Sequence, residues 1–138
     1  MSVNYELQRF AENESGTQDL ALAVADALPQ QLLIGLIGTL GAGKTRFVKG
    51  LAEGLDVPPA NVTSPTFVLC QSHQGRCLLH HVDAYRVADD DEWYELGIDE
   101  RIEDEAITVI EWSDRFAHLL PTERLDIQVE ILGETARM

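Results

Sequence analysis

Apolar residues follow two periods along this chain, one typical of strands and one typical of helices, which indicates an α/β domain. The unbroken apolar run at residues 32–37 predicts a buried strand, and the helical spacing of apolar residues at 45–52 predicts a helix soon after it. An earlier amphipathic helix is predicted from Ser15 to about Leu28, because Pro29 cannot continue it.

Other segments have the length and composition of strands. Alternating polar and apolar residues predict strands at 5–10 and 125–131, and the apolar segment 107–111 predicts a central strand. Residues 66–71 and 77–82 are predicted to form a hairpin whose turn includes the polar residues between them, from Gln71 onward. Cys70 and Cys77 could face each other across this hairpin, and both are expected as reduced thiols.

The loop between the first buried strand and its helix matches a phosphate-binding pattern. The pattern is G-x-x-x-x-G-K-[ST], and the residues are Gly38-Thr-Leu-Gly-Ala-Gly-Lys-Thr45. The glycines let backbone amides point at phosphate oxygens, and the amino end of the helix adds a positive dipole. Lys44 can reach the β- and γ-phosphates, while the hydroxyl of Thr45 can ligate Mg²⁺. The motif therefore predicts a nucleotide-binding site.

Length and motif together define the expected fold. The chain has 138 residues without a linker or an internal repeat, which fits a single domain over residues 1–138. The fold class expected is the α/β fold of a P-loop NTPase, with three layers and a mixed, partly parallel sheet flanked by helices. No apolar stretch is long enough to span a membrane and the first residues lack a signal-peptide pattern, so a cytoplasmic protein is expected.

The charge of the chain bears on its partners. It has 24 acidic and 10 basic residues, which gives a formal net charge of −14. Such a field repels a polyanion, so direct binding of nucleic acid is disfavoured and proteins are the expected partners. The densest acidic run, at residues 89–92, is expected on a solvated loop that precedes a short helix at 93–96.

Two acidic residues stand at the ends of predicted strands, where an α/β sheet collects its ligand-binding groups. Asp83 is the best-placed carboxylate for the Mg²⁺ shell, although capping of a turn fits the same position. Glu111 could polarise the attacking water or stand in solvent at its strand end. His81 shares a strand face with Asp83, so a hydrogen bond between these two residues is expected.

Two further residues have two interpretations each. Thr66 follows Pro65 at the start of a strand, and it either senses the γ-phosphate as a switch residue or only pairs in the sheet. Trp112 either packs beside the nucleotide or seals the core. The residue pattern alone leaves both choices open.

Four motifs occur in one order along the chain. They are the phosphate loop, Ser64-Pro-Thr-Phe67, His81-Val-Asp-Ala-Tyr-Arg86 and Ile110-Glu-Trp112. With this order and spacing the chain resembles the TsaE family, which comprises small bacterial P-loop ATPases of tRNA N6-threonylcarbamoyladenosine biosynthesis. The resemblance runs from about Ser15 to Trp112, with a weaker tail to Arg137. Thr39 stands where the loop of the family usually has Asp.

The resemblance implies ATP and Mg²⁺ as cofactors and assigns roles to residues. The nucleotide-binding residues it implies are Gly38, Leu40, Gly41, Ala42, Gly43, Lys44, Thr45, Arg46 and Trp112. The metal-binding residues are Thr45, Asp83 and Glu111, with Asp83 as the Walker B carboxylate. The catalytic residues are Glu111, Thr66 and Asp83, with Thr66 in a nucleotide-responsive switch. Tyr85 and Arg86 match family positions without a derived role.

The resemblance also implies partners. Family members act with TsaB and TsaD, the latter being the transferase that modifies adenosine 37 of ANN-decoding tRNAs, so tRNA is expected to be reached only through that assembly. ATP hydrolysis is expected to be slow alone and dependent on these partners. Two other functions stay open. A small-molecule kinase needs an arginine-bearing lid, but residues 89–105 hold only Arg101 among ten acids. A regulatory module would bind nucleotide without turnover.

Overall fold

A computed structural model describes residues 14–38, 44–58 and 70–129, apart from the side chains of residues 14–18 and Thr45. The helices in these ranges are α1 (Glu14–Ala27), α2 (Lys44–Gly54), α3 (Asp90–Glu95) and α4 (Ile98–Glu103), and 3₁₀ turns span Ser113–Leu119. The strands are β1 (Leu32–Gly38), β2 (Cys70–Gln74), β3 (Leu78–Asp83), β4 (Ala106–Glu111) and β5 (Leu125–Val129). None of the helices in the described ranges is both long and apolar enough to cross a membrane.

The five strands form one sheet in the order β2-β3-β4-β1-β5. The strands β3, β4, β1 and β5 are parallel, whereas β2 pairs antiparallel with β3 at one edge. All six residues of β4, the middle strand, are buried, which explains why four of them are apolar. The predicted mixed, partly parallel sheet with residues 107–111 at its centre is confirmed.

Helices cover both faces of the sheet and enclose two hydrophobic cores. On one face, α1 and α2 pack against alternate strand residues such as Ile34 and Val109. On the other face, Leu33 and Ile110 pack with residues of the later helical segments, including Trp93. Because successive side chains of a strand point to opposite faces, the strands β1, β3 and β4 contribute to both cores. The predicted three-layer α/β arrangement is confirmed, and α1 ends within one residue of the predicted Leu28.

The hairpin differs from the prediction. Residues 72–74 were expected in a turn but belong to β2 and pair with β3, so the turn is shorter. An edge strand can expose polar side chains while its backbone pairs on one side. β2 therefore lacks the apolar residues from which a strand is predicted. Cys70 and Cys77 pack in different cores rather than facing each other, and both are free thiols. Residues 66–69 and the strand predicted at 5–10 lie outside the described residues.

The acidic run at residues 89–92 begins a helix, so the predicted loop is wrong there. Asp89 is the residue before α3, and its side-chain oxygen accepts a hydrogen bond from the backbone N–H of Glu92 at 2.9 Å. The next three acids occupy the first turn of α3, where negative charge interacts favourably with the helix dipole. The helix α4, which was not predicted, follows and buries Ile98 in the second core.

Candidate functional site

Three parallel strands end at one edge of the sheet, beside the amino end of α2. β1 ends at Gly38, β4 at Glu111 and β3 at Asp83, and α2 begins at Lys44. The register of β3 and β4 sets Asp83 directly opposite Glu111. In α/β proteins, ligands bind at the carboxyl ends of parallel strands. The structure thus brings together three of the predicted site residues, one cationic and two acidic.

The side chain of Lys44 folds back over this sheet edge. Its ammonium group donates a hydrogen bond to the carbonyl oxygen of Gly38 and lies 3.6 Å from the centre of the Trp112 ring. Only 5% of the residue is exposed to solvent. A cation that contacts the face of an aromatic ring in a nearly dry environment gains electrostatic stabilisation from the ring. Lys44 is therefore held at the end of β1 by a carbonyl group and an indole.

Three carboxylates compensate the buried charge of Lys44. Burial lowers the pKa of its ammonium group, and the negative charges of Glu111, Asp83 and Asp114 oppose that change, in decreasing order of influence. Asp114 was not among the predicted site residues, because it follows β4 by three positions in a segment with no recognisable pattern. The site therefore carries more negative than positive charge around one lysine, a balance that suits a bound cation.

Asp83 fits both roles that the sequence left open. Its Oδ1 accepts a hydrogen bond from the backbone N–H of Tyr85 at 2.9 Å, which is the turn-capping interaction. Burial raises the pKa of Asp83, the Tyr85 amide lowers it, Glu111 raises it, and His81 and Lys44 lower it. Burial is the largest of these influences, so the carboxylate is poorly solvated in the free protein. A cation bound beside it would relieve this cost.

The two carboxylates suit Mg²⁺ better than a transition metal. Mg²⁺ prefers oxygen ligands and commonly binds through one or two carboxylates together with water and nucleotide phosphates. Within the described ranges, no group of three or more His, Cys, Asp or Glu residues could hold a metal ion. Asp83 and Glu111 together supply the carboxylates expected of a site that shares its metal with a nucleotide.

His81 contacts Glu111 instead of the predicted Asp83. Its Nε2 lies 2.6 Å from Oε2 of Glu111, and the side chains are 0% and 6% exposed. His81 and Asp83 do share a face of β3, because they are two positions apart in the strand. The partner was wrong because Glu111, on the adjacent strand, lies within reach of the imidazole ring.

Trp112 covers the site because the chain turns sharply after β4. Its φ of 62° and ψ of 32° lie in the left-handed region, which costs a residue with a Cβ on the order of 1 kcal/mol. The backbone N–H of Trp112 donates to the carbonyl oxygen of Leu36 in β1 at 2.9 Å, which fixes this turn. The indole then lies against Lys44 and 5.0 Å from the ring of Tyr85, centre to centre.

Arg115 links this turn to the segment after β3. Its guanidinium group donates hydrogen bonds to the backbone carbonyl oxygens of Ala84 and Tyr85. Arg115 was not among the predicted site residues, and only its position soon after Glu111 and Trp112 could have drawn attention to it. Arg86, which matches a family position, is exposed.

Several predicted site residues are not placed. Leu40, Gly41, Ala42, Gly43 and Thr66 lie outside the described residues, and the side chain of Thr45 is not described. Arg46 is partly buried on the first turn of α2. The described residues that flank the loop are Gly38 and Lys44, which are joined by a hydrogen bond from the Lys44 ammonium group to the Gly38 carbonyl oxygen.

A mostly parallel sheet, a phosphate-loop sequence between β1 and α2, and a lysine beside two strand-end carboxylates define a P-loop nucleotide-binding protein. The family model described as "Threonylcarbamoyl adenosine biosynthesis protein TsaE" matches residues 11–138. The chain belongs to the TsaE family, and its role lies in the biosynthesis of threonylcarbamoyladenosine in tRNA.

Individual relatives and a solved structure agree with this family. The TsaE protein of Aquifex aeolicus is 40% identical over 128 residues, which cover 91% of this chain and 88% of the relative. The TsaE protein of Treponema pallidum is 39% identical over 114 residues, covering 83% and 84%. A crystal structure of Bacillus subtilis YdiB is similar with a TM-score of 0.71 at 31% identity, covering 89% of this chain and 75% of that one.

Proposed function

We propose that this chain binds and hydrolyses ATP with Mg²⁺, and that this turnover supports modification of adenosine 37 of tRNA by TsaB and TsaD. The observation that carries the proposal is the meeting of Lys44, Asp83 and Glu111 at one sheet edge, beside the phosphate-loop sequence. A site built only to bind nucleotide needs the loop and the lysine. A second strand-end carboxylate is the group that hydrolysis requires in addition.

Each group has a distinct role in this proposal. Lys44 exchanges its carbonyl partner for the β- and γ-phosphate oxygens, to which an ammonium group binds more strongly. Asp83 and the hydroxyl of Thr45 hold Mg²⁺, which neutralises the negative charge on the transferred phosphate. Glu111 orients and polarises the attacking water and adds a second carboxylate near the metal. Thr66 is the proposed switch residue, and Trp112 packs beside the nucleotide.

Family membership and charge support the proposed partners. A chain with a net charge of −14 has little attraction for tRNA, so we propose that it docks on the TsaB and TsaD proteins and that they contact the tRNA. Its own turnover would then reset the assembly between modification cycles. The proposed compartment is the cytoplasm, which holds the tRNA.

ATP hydrolysis by the purified chain, alone and with TsaB and TsaD, tests this function. We expect Glu111→Gln to lower the turnover number by about 10²- to 10⁴-fold, because a positioned acid or base contributes a factor of this size. The variant should keep its affinity for ATP, measured by equilibrium binding. Glu105→Gln is the matched control, because Glu105 is an exposed acid at the other end of β4 and should leave both quantities unchanged.

The outcomes separate the possible functions. Partner-stimulated hydrolysis that depends on Glu111 supports the proposal. Unchanged turnover in Glu111→Gln removes Glu111 from the mechanism. Nucleotide binding without hydrolysis under any condition favours a regulatory module, and phosphate transfer to a small molecule without regard to TsaB and TsaD favours a kinase.

A further inference from the structure

Two neighbouring histidines of β3 are buried, and their hydrogen bonds differ. His80 is bonded at both ring nitrogens, with Nδ1 at 2.8 Å from the hydroxyl of Ser72 and Nε2 at 2.9 Å from Asp104. His81 is bonded at Nε2 to Glu111, while its buried Nδ1 finds no partner among the described residues. Local structure thus accounts fully for His80. His81 has one unsatisfied polar atom, Nδ1, and within the described residues the hydrogen bond to Glu111 is the only one that its ring makes.

The bond between His81 and Glu111 has a defined direction. A carboxylate has no hydrogen to donate, so Nε2 carries the hydrogen and donates it to Oε2 of Glu111. Charge-assisted bonds of this kind are short and strong, and the distance of 2.6 Å with both side chains buried fits that class. The imidazole ring therefore fixes one oxygen of Glu111 and leaves Oε1 as the oxygen that can act on a ligand.

We propose that His81 is a positioning residue, which holds the carboxylate of Glu111 in the orientation needed for hydrolysis. This inference rests on the function proposed above. A glutamate side chain has three rotatable bonds, and an apolar residue at position 81 would let it rotate away from the site. The unsatisfied Nδ1 is the structural cost of keeping an imidazole there, since a buried polar atom without a partner is unfavourable.

Two amide substitutions at position 81 separate this role from simple packing. The side-chain amide of Gln places its N–H near the position of Nε2, whereas that of Asn reaches only as far as Nδ1. We expect His81→Gln to keep the kcat for ATP hydrolysis within about threefold, and His81→Asn to lower it by about 10- to 100-fold. The KM for ATP should change little in both variants, because His81 does not contact the nucleotide in this account.

His80→Gln is the matched control, since it replaces the adjacent buried histidine, whose bonds go to Ser72 and Asp104. It should leave kcat unchanged, even if it lowers the melting temperature. An equal loss of kcat in His81→Gln and His81→Asn, or an effect confined to KM, overturns the positioning role. A kcat that is kept in His81→Gln and lowered in His81→Asn supports the positioning role.

A measurement without turnover separates this inference from the proposed function. In protein labelled with ¹⁵N at histidine, the Nε2–H proton of His81 should resonate far downfield and move upfield in Glu111→Gln, which accepts a weaker bond. If the chemical shift of this proton is the same in Glu111→Gln as in the wild type, the positioning role is refuted, whether or not the chain hydrolyses ATP. Absence of hydrolysis in the wild type, with the resonance behaving as expected, refutes the proposed function and leaves the hydrogen bond established.

Discussion

Removing the ammonium group of Lys44 is the perturbation whose effect on nucleotide binding can be worked out most directly from the structure. Lys44 is nearly buried, donates a hydrogen bond to Gly38 and lies over Trp112. In Lys44→Ala the phosphates lose a charge-assisted hydrogen bond, a contact worth about 1.5–3 kcal/mol. That range corresponds to about 10- to 150-fold weaker binding, because about 1.4 kcal/mol is a factor of ten.

The surrounding charges place the expected effect toward the upper end of this range. Asp83, Glu111 and Asp114 all act electrostatically on Lys44. Without the lysine, one positive charge fewer would separate these three carboxylates from the phosphates, so their repulsion would weaken binding further. We therefore expect the dissociation constant for ATP to rise by about 100-fold in Lys44→Ala.

Isothermal titration calorimetry of the two lysine variants gives the comparison. The chain has only two lysines, and Lys49 lies on the same helix, α2, in a partly buried position. Lys49→Ala removes the same group and should change the affinity by less than about threefold. Equal losses in both variants would show that overall charge governs binding. Unchanged affinity in Lys44→Ala would refute the assignment of this residue to the phosphates.

Two more predictions concern Asp83 and Trp112. Because burial raises the folded-state pKa of Asp83, the stability of the protein falls as the pH rises from the ordinary carboxyl range through that raised value. Asp83→Asn can still accept the hydrogen bond from the Tyr85 amide, so it should melt at a higher temperature than wild type at pH 7 and lose that advantage near about pH 3. The variant should also lose its stabilisation by Mg²⁺-ATP. Nucleotide binding should move Lys44 off the indole of Trp112 and so change the fluorescence of that residue. The change should persist in Trp93→Phe, which removes the other tryptophan, and vanish in Trp112→Phe. Equal melting of Asp83→Asn and wild type at pH 7, or a response that needs Trp93, would contradict these assignments.

The elements with a strong apolar pattern were predictable, and those whose structure depends on neighbours were not. The strand β1 was predictable from its unbroken apolar run, the strand β4 from its mostly apolar residues, and the helix α2 from the helical spacing of its apolar residues. The strand β2 could not be predicted because an edge strand can be polar on both faces. The helix α4 could not be predicted because its six residues have one buried apolar side chain, Ile98, which is too few to show a helical repeat of apolar residues.

The site followed the same division. Lys44, Asp83 and Glu111 were predicted as site residues because a phosphate loop and strand ends mark their positions along the chain, and the structure brings these three residues together. It did not identify the bond between His81 and Glu111, which depends on two residues 30 positions apart meeting through the register of β3 and β4. The place of Trp112 over the lysine was equally hidden, because it depends on one left-handed backbone turn.

The most direct test of the central claim is the amount of N6-threonylcarbamoyladenosine formed on tRNA over many cycles by TsaB and TsaD. The reaction would contain ATP, the threonylcarbamoyl donor, and either the wild-type chain or Glu111→Gln. We expect continued product formation with the wild type, and formation that stops after about one cycle with the variant, because ATP is bound but not hydrolysed. Equal product accumulation with the wild type, with the variant and without the chain would contradict it.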